Sequence, residues 1–278
     1  MRVLQWVKHL TFDQWEALFE QYPAQQGTPR ERLAVLGLFV VACCVLIFND
    51  DFAVHMWRYV PGFDWAPKSK EWFFWRRVGW ALWIAIAYTI PMGLYCRFAL
   101  GLRGKDLGLD PRQAAKHAHL YLFLFALVMP FVAWQSMNPH FDRMYPMAKG
   151  AGYHLEYLAA WESAYGIQFV GVEFFWRGAL LFGTVRFFGP WAIPMMMIPY
   201  CMLHFGKPTM EAIGSIFAGL ALGIVALRTR SIYGGIAIHA SVAWSMDLLV
   251  LWNSGKLARL FGLCFGLFFS QLGRVLWL

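Results

Sequence analysis

The chain is cut into apolar runs long enough to cross a lipid bilayer, and this limits what it can fold into. A spanning helix needs about 20 mostly apolar residues. Runs of this kind fall at roughly 33–48, 78–99, 118–135, 164–187, 190–206, 211–227, 234–252 and 258–277. Inside lipid, every backbone N–H and C=O must be satisfied within the protein, so each run is expected to be helical. The expected fold class is all-α: a polytopic transmembrane helical bundle of about eight spanning helices.

Composition narrows the function classes. Of 278 residues, 59% are hydrophobic and 14% charged, whereas soluble domains carry about 25% charged residues. Lys and Arg number 24 against 16 Asp and Glu, for a net charge of +8. The cations lie between apolar runs and not in one basic stretch, so their expected partners are membrane lipids and not nucleic acid. Cys43, Cys44, Cys96, Cys201 and Cys264 all stand in apolar stretches without a CxxC spacing. They are expected to be small buried hydrophobes and not metal or redox ligands.

Residues 1–32 carry Asp13, Glu16, Glu20 and Glu31 and no apolar stretch, so the first span is expected to direct insertion itself. Thr11-Phe12-Asp13-Gln14 fits a capping box, with Trp15, Leu18 and Phe19 on one side of the helix that follows. This segment is expected either to lie on the membrane or to be a solvated arm. The division is therefore an interfacial segment at 1–32 and one membrane-embedded helical domain at 33–278. Trp57, Trp65, Trp72, Trp75 and Trp80 cluster near the start of the second run, as an interfacial aromatic belt does. Asp110-Pro111 is a helix start, and Gly219 and Gly223 give a GxxxG spacing that admits a neighbouring helix.

Ionisable residues deep in lipid cost several kcal/mol unless paired or hydrated, so the few present are informative. Of the acids, Glu162, Glu173, Glu211 and Asp247 fall in or near apolar runs, and of the histidines His204 and His239 lie well inside the late ones. Glu173 and Arg177 are four apart, on one helix face, with the acid on the N-terminal side. Alone, such a pair is as readily a helix-packing lock as a site. With a histidine from each of two further helices, the set has the chemistry to hold a metal or activate a water. HExxH, GxSxG, GxxxxGK[ST] and a Gly-Asp pair are all absent from the sequence.

Around these residues the sequence resembles the CPBP family, which comprises the type II CAAX prenyl endopeptidases and the bacteriocin-processing or immunity (Abi) proteins. The family pattern is EExxxR, FxxxH and HxxxN/D on successive late helices. Here it reads Val172-Glu173 through Arg177, Tyr200 through His204, and His239 through Ala243. The resemblance covers roughly 160–250 and includes the basic turn at Arg228-Thr229-Arg230. It implies an intramembrane endopeptidase acting on a peptide or membrane protein in a bacterial inner membrane. Glu173 and His204 would activate water, His239 would hold the oxyanion, and Arg177 would fix Glu173. It leaves open a divalent metal such as zinc, held by Glu173, His204 and His239, or a glutamate mechanism without metal.

Two departures stand out. Val172 occupies the first-Glu position, and Ala243 the Asn position. One residue on a helix rotates a side chain by about 100°, so Glu173 does not point where its neighbour would. Glu162, eleven residues before Glu173, and Asp247, two turns beyond His239, are the candidate supporting carboxylates, with Tyr200 in the Phe place. The alternative is a catalytically silent scaffold or immunity-type protein of the same fold. Ranked below it is a small proton-coupled transporter using Glu173 and Asp247, since no inverted repeat of broken helices is evident.

Overall fold

The structure, a computed structural model, describes residues 13–55 and 69–261, without the side chains of 50–54. All regular structure among the described residues is helical. The helices are α1 (Pro29–His55), α2 (Lys70–Phe98), α3 (Pro111–Lys116), α4 (Ala118–Gln135), α5 (Pro139–Met144) and α6 (Leu155–Glu173). A π-helical segment (Phe174–Leu181) continues α6 into α7 (Phe182–Phe188). α8 (Ala192–Met202), α9 (Thr209–Thr229), α10 (Tyr233–Asn253) and α11 (Lys256–Leu260) complete the order.

Among the described residues, six helical stretches are long and apolar enough to cross a membrane: Pro29–Asn49, Lys70–Phe98, Ala118–Gln135, Leu155–Met202, Thr209–Thr229 and Tyr233–Asn253. They bear out the all-α polytopic reading. Their outward surface is apolar, as lipid requires: Ile47, Leu122 and Phe217 are 72%, 67% and 68% exposed. The expected run at 258–277 lies mostly outside the described residues.

The expected runs at 164–187 and 190–206 share the 48-residue stretch Leu155–Met202. As one straight helix it would extend about 70 Å, more than twice the hydrocarbon thickness. It turns instead at Gly189–Trp191. Gly189 has φ +56°, and a Cβ there would meet the Tyr22 carbonyl, so this turn requires glycine. The helix after the turn, α8, has 11 residues, about half a span. It ends sooner than the sequence suggested because Pro199 lies inside it and the chain turns again at Gly206, where φ is +85°.

The chain forms two compact units. Unit one comprises residues 1–46, 88–120 and 172–236. Its helical residues 13–21 bury Leu18 fully, and Trp15 and Phe19 pack edge-on against Trp191 at 6.0 and 5.9 Å. The Tyr22 hydroxyl donates to the Leu227 carbonyl at 2.8 Å, and Arg228 donates to the Gln14 carbonyl at 3.1 Å. Residues 13–22 are thus docked on the rest of unit one and are not a solvated arm. Thr11 and Phe12 of the expected capping box lie outside the described residues. Asp110 caps α3 as expected, accepting from the Arg112 N–H at 3.0 Å, with Pro111 in the first turn. Gly219 lies against Met197 and Tyr200, and Gly223 against Ile193, so the GxxxG spacing does bring α8 and α9 together.

Unit two comprises residues 47–87, 121–171 and 237–278. Its main core joins Phe74, Val78 and Ala81 of α2, Trp161 and Tyr165 of α6, and Ala243 and Leu251 of α10. α6 approaches α2 so closely that a Cβ on Gly171 would meet the backbone of Ala85 and Ile84. Of the cysteines, Cys96 is buried, but Cys43 and Cys44 are exposed and Cys201 is half-buried, which corrects the expectation of burial. In lipid a thiol needs no burial, since the surroundings are already apolar. Cys264, Trp57 and Trp65 lie outside the described residues.

Gly171→Ala is expected to force α6 off α2 and lower stability by about 1–3 kcal/mol. Gly214→Ala, which meets nothing within 4 Å, is expected to leave stability unchanged or slightly raised. Thermal unfolding of the two variants in one detergent checks this; equal midpoints would refute the close approach.

Candidate functional site

In unit one the sequence-derived residues gather around Arg177. Its Nη1 donates to Glu173 Oε1 at 2.9 Å, and the two side chains are 0% and 1% exposed. The guanidinium lies 4.7 Å over the Tyr200 ring. Its Nη2 reaches the Ala218 carbonyl at 3.5 Å. One side chain on the π-helical segment therefore touches α6, α8 and α9. All eight residues of that segment are buried, which fixes where Arg177 can go. π-helical turns recur at functional sites.

The other face of the Glu173 carboxylate meets Gly235, at the start of α10. A Cβ at 235 would collide with it, so glycine there lets the carboxylate and α10 approach. The sequence reading did not single out Gly235.

Tyr200 carries the arrangement on to His204. The two rings meet edge-on at 5.0 Å, and His204 Nδ1 is 3.1 Å from the Tyr200 carbonyl. A carbonyl only accepts, so Nδ1 carries the proton and Nε2 is the nitrogen with the lone pair when the ring is neutral. His204 is half-buried. Glu211 is paired with Lys207 at 2.7 Å just before and within the first turn of α9, which accounts for its charge.

The remaining sequence-derived residues belong to unit two. There α6 and α10 run antiparallel with matched four-residue steps. Asp247 Oδ2 accepts the Trp161 indole N–H at 2.6 Å, and the His239 ring stacks on Phe169 at 5.2 Å. Ala243, midway between Asp247 and His239, is buried in the cluster that contains Tyr165, midway between Trp161 and Phe169. Asp247 and His239 are thus two turns apart, each held by a different side chain of α6. Glu162 lies within electrostatic reach of Asp247, and both its carboxyl oxygens are buried without a hydrogen-bond partner among the described residues. Its backbone carbonyl accepts from the Trp244 indole at 2.8 Å. Trp161 and Phe169 were not singled out from the sequence either. Their signal was present: Trp161, Tyr165, Phe169 and Glu173 step by four, as do Gly235, His239, Ala243 and Asp247.

Among the described residues, no three His, Cys, Asp or Glu side chains are grouped to hold a metal ion. Glu173 is already committed to Arg177.

The comparisons with known proteins agree with the resemblance seen in the sequence. A family model described as "Type II CAAX prenyl endopeptidase Rce1-like" matches residues 155–245, about a third of the chain. The match runs from the first residue of α6 into α10 and includes Glu162, Glu173, Arg177, Tyr200, His204 and His239, while Asp247 lies two residues beyond it. No curated protein and no solved structure matches. Six apolar helices among the described residues, together with a match to a membrane-protease family model, indicate an integral membrane protein.

Arg177→Ala leaves Glu173 as a buried, unbalanced charge, and is expected to cost about 3–5 kcal/mol. The double variant Glu173→Ala/Arg177→Ala is expected to be more stable than Arg177→Ala alone. A double-mutant cycle on unfolding in detergent measures this. Additive losses would mean that the pair is not a lock.

Proposed function

We propose that this chain is a membrane-embedded protein of CAAX-endopeptidase type that binds a peptide or membrane-protein partner without hydrolysing it. In this reading Glu173 and Arg177 lock the helices that form the binding face. The observation that carries it is the commitment of Glu173: its carboxylate is 2.9 Å from a fully buried guanidinium and abuts Gly235. A general base must take up a proton in the reaction. If Glu173 did so, Arg177 would be left charged and unbalanced in the interior, at a cost of several kcal/mol.

The two departures from the family pattern support the same reading. Val172 offers no proton acceptor. Ala243 is 4% exposed and lies in an apolar cluster with Trp161 and Tyr165, so it offers an oxyanion no hydrogen bond. Oxyanion donors each contribute about 10²–10³ in rate.

One observation favours a second reading, the intramembrane endopeptidase. The hydrogen bond of His204 to the Tyr200 carbonyl selects the tautomer with its lone pair on Nε2, which is the form a base requires. Here His204 would take the proton from water, and Glu173 and Arg177 would set the field around it.

A peptide library including prenylated C-termini, offered to the reconstituted chain, separates the two. Wild type and His204→Ala are expected to give the same background cleavage. Val172→Glu/Ala243→Asn is expected to raise cleavage about 100-fold or more. Cleavage by wild type that His204→Ala abolishes would overturn the silent reading and establish the second.

A further inference from the structure

A separate feature of unit two is a cavity of about 420 Å³ at the start of α2. Lys70, Arg76 and Arg77 line it from the helix and Lys149 from the loop before α6, and no lining residue is acidic. Among the described residues none of these four cations is in an ion pair. Asp142 and Asp247 lie within electrostatic reach of Lys149, and Glu71 within that of Lys70, but none of these carboxylates enters the lining.

The cations are held in place by aromatic rings and carbonyls. Arg76 lies 5.1 Å over Trp72, Arg77 lies 4.8 Å over Trp80, and Lys70 lies 5.8 Å over Tyr153. Lys149 donates to the Asp142 and Tyr145 carbonyls at 3.1 and 3.3 Å. Gly150 brings the loop in against Phe74, where a Cβ would strike the ring. The cavity walls are therefore built, and not a chance meeting of surface lysines.

Its depth identifies the ligand class. Lys70 opens a bilayer-crossing helix, and tryptophans with flanking cations mark the headgroup level. Phe73 and Trp75, 49% and 43% exposed, extend apolar surface beside the cations, where acyl chains would run. A soluble anion would use the cations but not this apolar flank. We propose that the cavity binds the phosphate headgroup of an anionic phospholipid, with its acyl chains lying along Phe73 and Trp75. Basic pockets between transmembrane helices hold such headgroups.

The full-length chain in detergent, titrated with phosphatidylglycerol and followed by native mass spectrometry, tests this. Wild type is expected to retain phosphatidylglycerol and not phosphatidylcholine. Each cation removed is expected to weaken binding about fivefold, so Arg76→Gln/Arg77→Gln weakens it about 25-fold. Arg76→Lys/Arg77→Lys is expected to retain the lipid, and Arg112→Gln/Lys116→Gln, in unit one, to bind as wild type does. If the Arg76→Gln/Arg77→Gln variant does not fold, Lys70→Gln/Lys149→Gln is read in its place, with the same expected loss. Three results would overturn the proposal: equal retention by the Gln variants and wild type, an equal loss in the Arg112/Lys116 control, or displacement of the lipid by equimolar inorganic phosphate.

Discussion

Unit one depends on one buried charge pair. Glu173 and Arg177 are almost wholly removed from solvent, and neither charge is tolerable there alone. The pair becomes tolerable because Arg177 has more to bind than one carboxylate oxygen. It has the face of the Tyr200 ring and the Ala218 carbonyl. A guanidinium is suited to this, being planar, always charged and rich in donors. The result ties the π-helical segment to α6, α8 and α9 through a single side chain. In lipid, where apolar contact alone does little to drive helix association, polar ties and close backbone approach fix which helices meet. The Gly219 and Gly223 contacts to α8 supply the second of these.

Unit two is organised by a different device, the antiparallel match of α6 and α10. Steps of four on both helices place Trp161 with Asp247 and Phe169 with His239. The same step places position 243 among aromatic and aliphatic side chains. An amide there would need hydrogen-bond partners that the cluster does not supply. This gives Ala243 a physical reason beyond the family comparison.

Much of this was legible in the sequence, for physical reasons that differ between its parts. The helices were legible because lipid forces each apolar run to satisfy its own backbone. The Glu173–Arg177 pair was legible because i, i+4 geometry is local. The half-length α8 was less so, since its limits depend on Pro199 and on positive-φ glycines inside and after a run that is apolar throughout. Gly235 was not legible, because a glycine's role against a carboxylate is set by a helix some sixty residues away. Trp161 as the partner of Asp247 needed the register of two distant helices. The docking of residues 13–21 likewise depended on Trp191 and Leu227, which nothing local to the N-terminus announces.

The buried polar residues that match the resembled pattern are the ones whose removal would cost the fold most. Removing Glu173 or Arg177 alone strands a buried charge, so neither is readily given up even where no reaction needs it. His204 and His239 are integrated, one through the Tyr200 carbonyl and the other by stacking on Phe169. An asparagine at 243 is in the opposite position. It would bring a polar group that the apolar cluster around it must satisfy, and only use in a reaction would offset that cost. Where no reaction uses it, alanine is the more stable choice at this position.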